Sequence, residues 1–382
     1  MASSKRSSRV QRPAQPSTAA AAKAELLRRF EAAQALRSAG KLLAAIRAYR
    51  AILKDRPRHL GAIRGLAAAL AARGRTDEAF EQRARARRIE AYNLMRAADR
   101  LVEAEQPAKG AALLKRATRL DPKRPLAHWY LAEALSLLGK RKAALASYQR
   151  FHALAPNDPE GPHMIAAHGG TVAPMRASDD YIVEHFDRFA ERFDQTLVED
   201  LGYRAPHYLR QALVAEGTLA KGRKLDILDL GCGTGLCGLE IRRWARRLHG
   251  IDLSRAMLAK ARRRKIYHSL KASEITACLG TTAETYDLVV SSDVLIYFGD
   301  LSPVFTGVAR VLRDGGRFAF SVEQATGPKP VLTTSGRYAH GRVYLRKALS
   351  KAGLSVASIT TTILRKEYDV PVKGLVVVAR KR

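Results

Sequence analysis

The stretch ILDLGCGTGLCGLEI, residues 227–241, constrains the fold of this chain more than any other. An apolar run ends at Asp229 and Leu230, glycines follow at 231, 233, 235 and 238, and a helix-forming run opens at Leu236. Apolar runs of this length, cut off by glycine, are strands buried on both faces. Glycines at that spacing permit positive φ and bring the backbone close to a ligand. Strand, tight turn and helix in this order form one half of a parallel βαβ unit.

The pattern recurs through the back half. KLDILDL is followed by a helix from Leu236, RLHGI by one from Ser254, YDLVVSS by one near Ser302, and GRFAFSV by one near Val343. The chain closes with two strand-like runs, SITTTILRKEY and GLVVVARK, with no helix between them. The expected fold there is α/β, a Rossmann-like, mostly parallel sheet with one antiparallel strand near the C-terminus. Ahead of it lie a helix over 205–216 and an amphipathic helix over 181–194, with Phe186, Phe189 and Phe193 on one face.

The front half has no strand signal. It is rich in Ala, Leu and Arg and carries an internal period. Gly40 and Gly74 lie 34 residues apart, as do Ala45 and Ala79, and Pro122 and Pro156. GKLLAAIRAYRAILKDRP aligns without gaps on GKRKAALASYQRFHALAP, matching Gly40 to Gly139, Tyr49 to Tyr148 and Pro57 to Pro156. Between Gly74 and Gly139 there are 65 residues, three fewer than two periods, so the third unit is short. This period resembles the tetratricopeptide repeat, an α-helical solenoid of paired antiparallel helices. Four units are expected at 26–59, 60–93, 94–124 and 125–158, within a repeat region over 25–158. Such a solenoid offers a groove for a protein or peptide partner. The stretch 159–178, with its prolines and glycines, reads as a linker to a second domain over 179–382.

Composition narrows the function classes. The net charge is +31, and residues 1–176 hold 34 Lys and Arg against 14 Asp and Glu. A basic front half suits solvated Arg/Ala-rich helix faces first, and otherwise an acidic partner, RNA or an anionic surface, although aromatic side chains for stacking single strands are not interleaved there. Residues 1–24 read as a disordered basic tail; their composition is similar to that of a transit peptide, but prolines interrupt the helix one would need. No run approaches the roughly 18–20 apolar residues of a membrane span. Three cysteines, Cys232, Cys237 and Cys278, form neither a disulfide framework nor a metal site, so a cytoplasmic location without a metal is expected.

The glycine turn suits two cofactor classes, dinucleotides and S-adenosylmethionine. Gly233, Gly235 and Gly238 form a literal G-x-G-x-x-G, which is weak by itself. A carboxylate at Asp229, just before the glycines, would repel a pyrophosphate but suits a zwitterion with a sulfonium. Asp252 ends the next strand, where it can accept both ribose hydroxyls. Met257 stands one helical turn further on, either against an adenine ring or in the core.

These residues resemble the class I S-adenosylmethionine-dependent methyltransferases, and the whole chain resembles bacterial predicted methyltransferases with N-terminal tetratricopeptide repeats. The runs that carry the likeness are FDRFAERFD, LDLGCGTGLCG, YDLVVSSDVLIYFGDL, FAFSVE and GRYAH. The resemblance implies that Gly231, Gly233 and Gly235, with Asp229 and Cys232, line the cofactor's methionine end. It also implies Asp252 at the ribose, Leu253 among the cofactor-binding residues, Glu274 at the adenine amino group and Asp293 at the methyl end. The helix over 181–194 would close as a lid.

Methyl transfer from a sulfonium is an in-line displacement that needs alignment first, and a base only where the acceptor must lose a proton. Tyr297, Glu323 and His340 follow strand ends on the cofactor side and are the candidate catalytic residues, His340 as a base. Arg337 is a candidate for holding a carboxylate. The expected activity is methyl transfer to a small molecule, a carrier-borne group or a protein recruited by the solenoid. The alternative is a scaffold with a cofactor-binding but non-catalytic domain. RNA methylation is less favoured, because SSDVLIYF stands where base N-methylating enzymes carry an Asn/Asp-Pro-Pro-aromatic motif.

Overall fold

A computed structural model describes residues 18–197, 201–368 and 370–382. Most of the expected basic tail therefore lies outside the described residues. Its last positions, from Thr18, already belong to the first helix. The described chain forms two compact units, one ending at Tyr130 and one beginning at Leu131.

The first unit holds helices α1 (Thr18–Ser38), α2 (Leu42–Asp55), α3 (Leu60–Ala72), α4 (Thr76–Glu103) and α5 (Pro107–Leu120), and enters α6 (Pro125–Leu137). Their packing follows the repeat. Ala45, Ala79 and Tyr49 are buried, and Tyr49 fills the space above Gly65, where a Cβ would meet its ring at 2.3 Å. The turns after α1 and α3 close on Gly40 and Gly74 at φ +69° and +76°. After α4 the same left-handed position is held by Glu105, at φ +57°. Glu105 lies 31 residues beyond Gly74 and 34 before Gly139, so the missing three residues precede it. The expected boundary at 93/94 falls inside α4, which runs unbroken for 28 residues.

The second unit begins within α6, continues through α7 (Arg141–Leu154) and α8 (Glu160–Ala167), and then turns to sheet. The stretch read as a linker thus contains a helix, and its His163, Met164 and Ile165 are buried. Helices α9 (Asp179–Phe189), α10 (Phe193–Gln195) and α11 (Ala205–Ala215) lead into β1 (Leu225–Leu230), α12 (Leu236–Ile241), β2 (Ala245–Asp252), α13 (Arg255–Arg263), β3 (Ser269–Ala272), α14 (Ile275–Thr281) and β4 (Tyr286–Ser291). Then come α15 (Ser302–Val311), β5 (Leu312–Gln324), β6 (Val331–Leu332), β7 (Tyr338–His340), α16 (Arg342–Lys351), β8 (Leu354–Glu367) and β9 (Val370–Lys381).

Strands β3, β2, β1, β4 and β5 pair in that order and in parallel. β9 runs antiparallel to both β5 and β8, as expected of a strand near the C-terminus, and β6 is reversed as well. A short β6–β7 hairpin extends the end of β5, so Tyr338 and His340 are strand residues rather than loop residues. All six residues of β1 are buried, as a central parallel strand requires. Leu228 and Leu230 enter the core on one sheet face, with Val289, Phe318 and Phe320. Ile227 enters the other, with Leu248, Leu288 and Val290. The carboxyl ends of β1, β2 and β4 therefore open on one edge, where ligands of such sheets bind.

Candidate functional site

A cavity of about 520 Å³ lies at that edge. Gly231 and Gly233 form its floor, Asp252, Leu253 and Met257 follow from the end of β2 and the start of α13, and Glu274 stands at the start of α14. Asp293, Tyr297 and Arg337 line the far side, with Arg365 from β8, and Phe186, Phe189, Phe193 and Leu197 cover it.

Each lining group has a local cause. Gly231 sits at φ +67°, and a Cβ there would meet Val294 at 2.5 Å, so the turn requires glycine. A Cβ on Gly233 would meet nothing within 4 Å; the space above it is the cavity. The Gly233 N–H donates to Asp252 Oδ2 and the Ser254 N–H to Oδ1, both at 2.8 Å. Burial raises the Asp252 carboxyl to about 6. Glu274 caps α14 by accepting from Ala277 N–H at 2.8 Å through Oε2, which leaves Oε1 buried without a partner. Asp293 holds a left-handed backbone at φ +59°, and its Oδ1 is likewise buried and unpartnered. A cradle without Cβ atoms, one doubly oriented carboxylate and two buried free carboxylate oxygens fit a ligand with hydroxyl, amino and cationic groups.

The covering segment is tied to the glycine turn and to α13. Ser254 Oγ donates to Asp187, Thr234 Oγ1 to Asp194, and Lys260 to the Glu191 carbonyl at 3.0 Å. Phe186 meets Tyr297 edge to face at 5.6 Å between centroids, and Phe189 meets Phe193 at 5.5 Å. The helix expected over 181–194 is broken in two, with a turn between α9 and α10.

Not every expected residue arrives. Asp229, Cys232 and Gly235 do not line the cavity. Asp229 is buried beneath the turn, where it accepts from the Tyr267 hydroxyl at 2.7 Å. Burial lifts its carboxyl to about 7, so it is no fixed negative charge against a diphosphate. Cys232 is buried at the crossing with β2, where a Cβ on Gly250 would meet its Sγ at 2.9 Å. Gly235 caps α12 and packs on Tyr267 and Arg264.

Among the catalytic candidates, Tyr297 lines the cavity beside Arg337. Glu323 lies behind it, paired to Arg365. His340 is fully buried and away from the cavity. Its Nε2–H donates to the Phe298 carbonyl at 2.9 Å, its ring stacks on Tyr344, and burial lowers it to about 4. It is a core histidine holding β7, not a base.

Sequence reading missed Arg365, Tyr203, His185 and Glu160, all of which line the cavity. Arg365 is the hub of the acidic wall, donating to Asp293 and Glu367 at 2.7 Å each and to Glu323. Burial alone would lower its pKa, but those three carboxylates more than reverse this and hold it charged. Nothing in ILRKEY marks Arg365, which stands among other polar and charged residues of β8.

Comparison with known proteins agrees with this architecture. A family model described as a methyltransferase domain matches residues 227–316, and one described as a tetratricopeptide repeat matches 30–92 and 95–159. The chain is similar to the biotin biosynthesis bifunctional protein BioHC of Saccharophagus degradans, 31% identical over 164 residues, covering 41% of this chain and 28% of that one. It is similar to the malonyl-(acyl-carrier protein) O-methyltransferase of Salmonella typhimurium, 30% identical over 141 residues, covering 37% of this chain and 55% of that one. The match thus spans about a quarter to a half of these relatives' length. Among solved structures, the N-methyltransferase NodS of Bradyrhizobium japonicum in complex with S-adenosyl-L-homocysteine is 20% identical, covering 52% of this chain and 98% of that one, with a TM-score of 0.43. The chain joins tetratricopeptide repeats to a methyltransferase domain.

Proposed function

We propose that the chain is an S-adenosylmethionine-dependent methyltransferase that esterifies a carboxylic acid, either a small molecule or a group borne by a protein that docks on the repeats. The construction of the cavity floor carries the reading: a glycine cradle next to a buried, doubly oriented carboxylate. Gly231 and Gly233 would take the methionine end, Asp252 the ribose hydroxyls, Leu253 and Met257 the adenine faces, and Glu274 the adenine amino group. Asp293 stands at the methyl end. The cofactor supplies a methyl group already activated by its sulfonium.

The chain's own residues then align, desolvate and hold. The phenyl rings of Phe186, Phe189 and Phe193 exclude water from the cavity. Arg337, beside the Tyr297 hydroxyl, receives the acceptor carboxylate. A carboxylate is ionised at neutral pH and needs no base, in keeping with the position of His340 outside the cavity. The relatives' names, malonyl-(acyl-carrier protein) O-methyltransferase among them, support an acidic acceptor. Those methyltransferase names lend no support to a non-catalytic scaffold. The repeats support a protein partner.

The test is transfer of labelled methyl from S-adenosylmethionine to a lysate, fractionated into protein, RNA and small molecules. Label released as volatile methanol by mild alkali is the expected result. Alkali-stable label in RNA, or label in no fraction, would overturn the proposal.

A further inference from the structure

We propose that α8 is built into the acceptor end of the cavity, with His163 and Glu160 as positioning residues that hold the covering helix α9 and the Arg337 segment in one arrangement. Both segments reach α8 around Gly336. The His163 Nε2–H donates to the Gly336 carbonyl at 2.7 Å, a buried bond across 173 positions of chain. Gly336 has φ +79°, and a Cβ there would meet Met164 Sδ at 3.0 Å, Tyr181 Oη at 3.4 Å and His163 Cδ2 at 3.5 Å. Its neighbour Arg337 enters the cavity.

The same histidine faces the cover. Its ring stacks on Tyr181 of α9 at 4.3 Å and 23°, and Tyr181 stacks in turn on His185 at 5.8 Å. One turn earlier on α8, Glu160 is buried, lines the cavity, and lies 3.6 Å from His185 Nδ1 and 3.8 Å from Arg188. Asp158 reaches Arg188 at 3.6 Å.

α8 itself is held firmly. Asp158 Oδ1 accepts from the Glu160 N–H at 3.0 Å, and Arg141 of α7 donates to the carbonyls of His168 and Ala167 at 3.0 and 3.3 Å. Burial keeps His163 neutral, so it can offer one fixed donor. Loss of that donor leaves a buried carbonyl unpaired and frees both segments together. A helix next to the repeats thereby governs where Arg337 stands, while the floor of the cavity is built without it.

The test uses the full chain and the variants His163→Ala, His163→Gln and Glu160→Gln. Amide hydrogen exchange is read over 333–338, 179–189, 160–167 and β1. In His163→Ala, exchange should rise about tenfold in the first two segments together and stay unchanged in β1. His163→Gln, which returns an N–H donor, should restore the Gly336 segment. Glu160→Gln should loosen α9 alone. Malonate titrated into protein saturated with S-adenosyl-L-homocysteine should bind about tenfold more weakly in His163→Ala, with homocysteine-cofactor affinity within twofold of the parent. A rise confined to α8, or a fall in S-adenosyl-L-homocysteine affinity equal to that in malonate affinity, would overturn the inference. The malonate arm rests on the proposed carboxylate acceptor: failure of the parent protein to bind malonate would refute that acceptor, and the exchange data would still decide the role of α8.

Discussion

Asp252→Asn separates the charge of the proposed ribose ligand from its shape. In the parent chain each carboxylate oxygen accepts one backbone N–H at 2.8 Å, from Gly233 and from Ser254. Asparagine offers a single oxygen, so one of those N–H groups must face an amide NH₂. Hydrogen bonds to an ionised group contribute roughly 1.5–3 kcal/mol each. Losing the charged acceptor and misplacing the turn should cost about 2–4 kcal/mol of cofactor affinity, on the order of 30- to 1,000-fold. Calorimetry with S-adenosyl-L-homocysteine at pH 7.5 measures it, with circular dichroism as the check on folding. Burial places the Asp252 carboxyl near 6, and only its ionised form accepts two hydroxyls. Affinity should therefore be full above pH 6 and fall about tenfold per unit below it. For the fold without ligand the sign is opposite: a raised carboxyl favours the folded state below about pH 4, and that contribution is lost as the pH rises through 6. Unchanged affinity in Asp252→Asn, or an acid limb that persists in it, would refute the assignment.

Three other outcomes follow from the structure. Glu105→Gly relieves a left-handed backbone at φ +57° and should raise stability by about 1 kcal/mol in urea unfolding. His340 is lowered to about 4 by burial, against about 6.5 unfolded, so its contribution is full above pH 6.5 and lost as the pH falls towards 4, at most about 3 kcal/mol. His340→Gln should flatten that acid limb and leave the pH dependence of methyl transfer in place; a displaced rate profile would return His340 to catalysis. Gly231→Ala forces a methyl group against Val294 at 2.5 Å, and should weaken S-adenosyl-L-homocysteine binding at least about tenfold while the circular dichroism spectrum is kept.

The architecture was legible because it rests on local periodicity. An apolar run cut by glycine places β1, apolar runs ahead of the helices near Ser254 and Ser302 place β2 and β4, and two strand-like runs with no helix between them place β8 and β9. What sequence reading lost was orientation. Asp229 lies on the strand face that points down into the core beside Cys237, so a residue adjacent to the glycines in sequence is below them in space. The α8 helix was hidden by its own punctuation. Asp158 lies just ahead of the helix, where it accepts from the Glu160 N–H, and Pro162 falls in the first turn, where proline is tolerated. Gly169, at φ +84°, ends it. The same residues in a polar stretch read as a linker. Arg365 was unreadable because two of its three partners, Asp293 and Glu323, come from segments far away in the sequence.

The unbroken α4 makes its part of the solenoid a splint. Where neighbouring repeats meet through a loop, one added residue is absorbed locally. Around Tyr92 and Asn93 no loop exists, so a single insertion would swing everything C-terminal in α4 by about 100° and advance it about 1.5 Å. The buried Met95 and Ala98 would turn outward, and the α5 seat would go with them. The spacing from Gly74 to Glu105 across α4, three residues short of the repeat period, is therefore a fixed gauge of the stack.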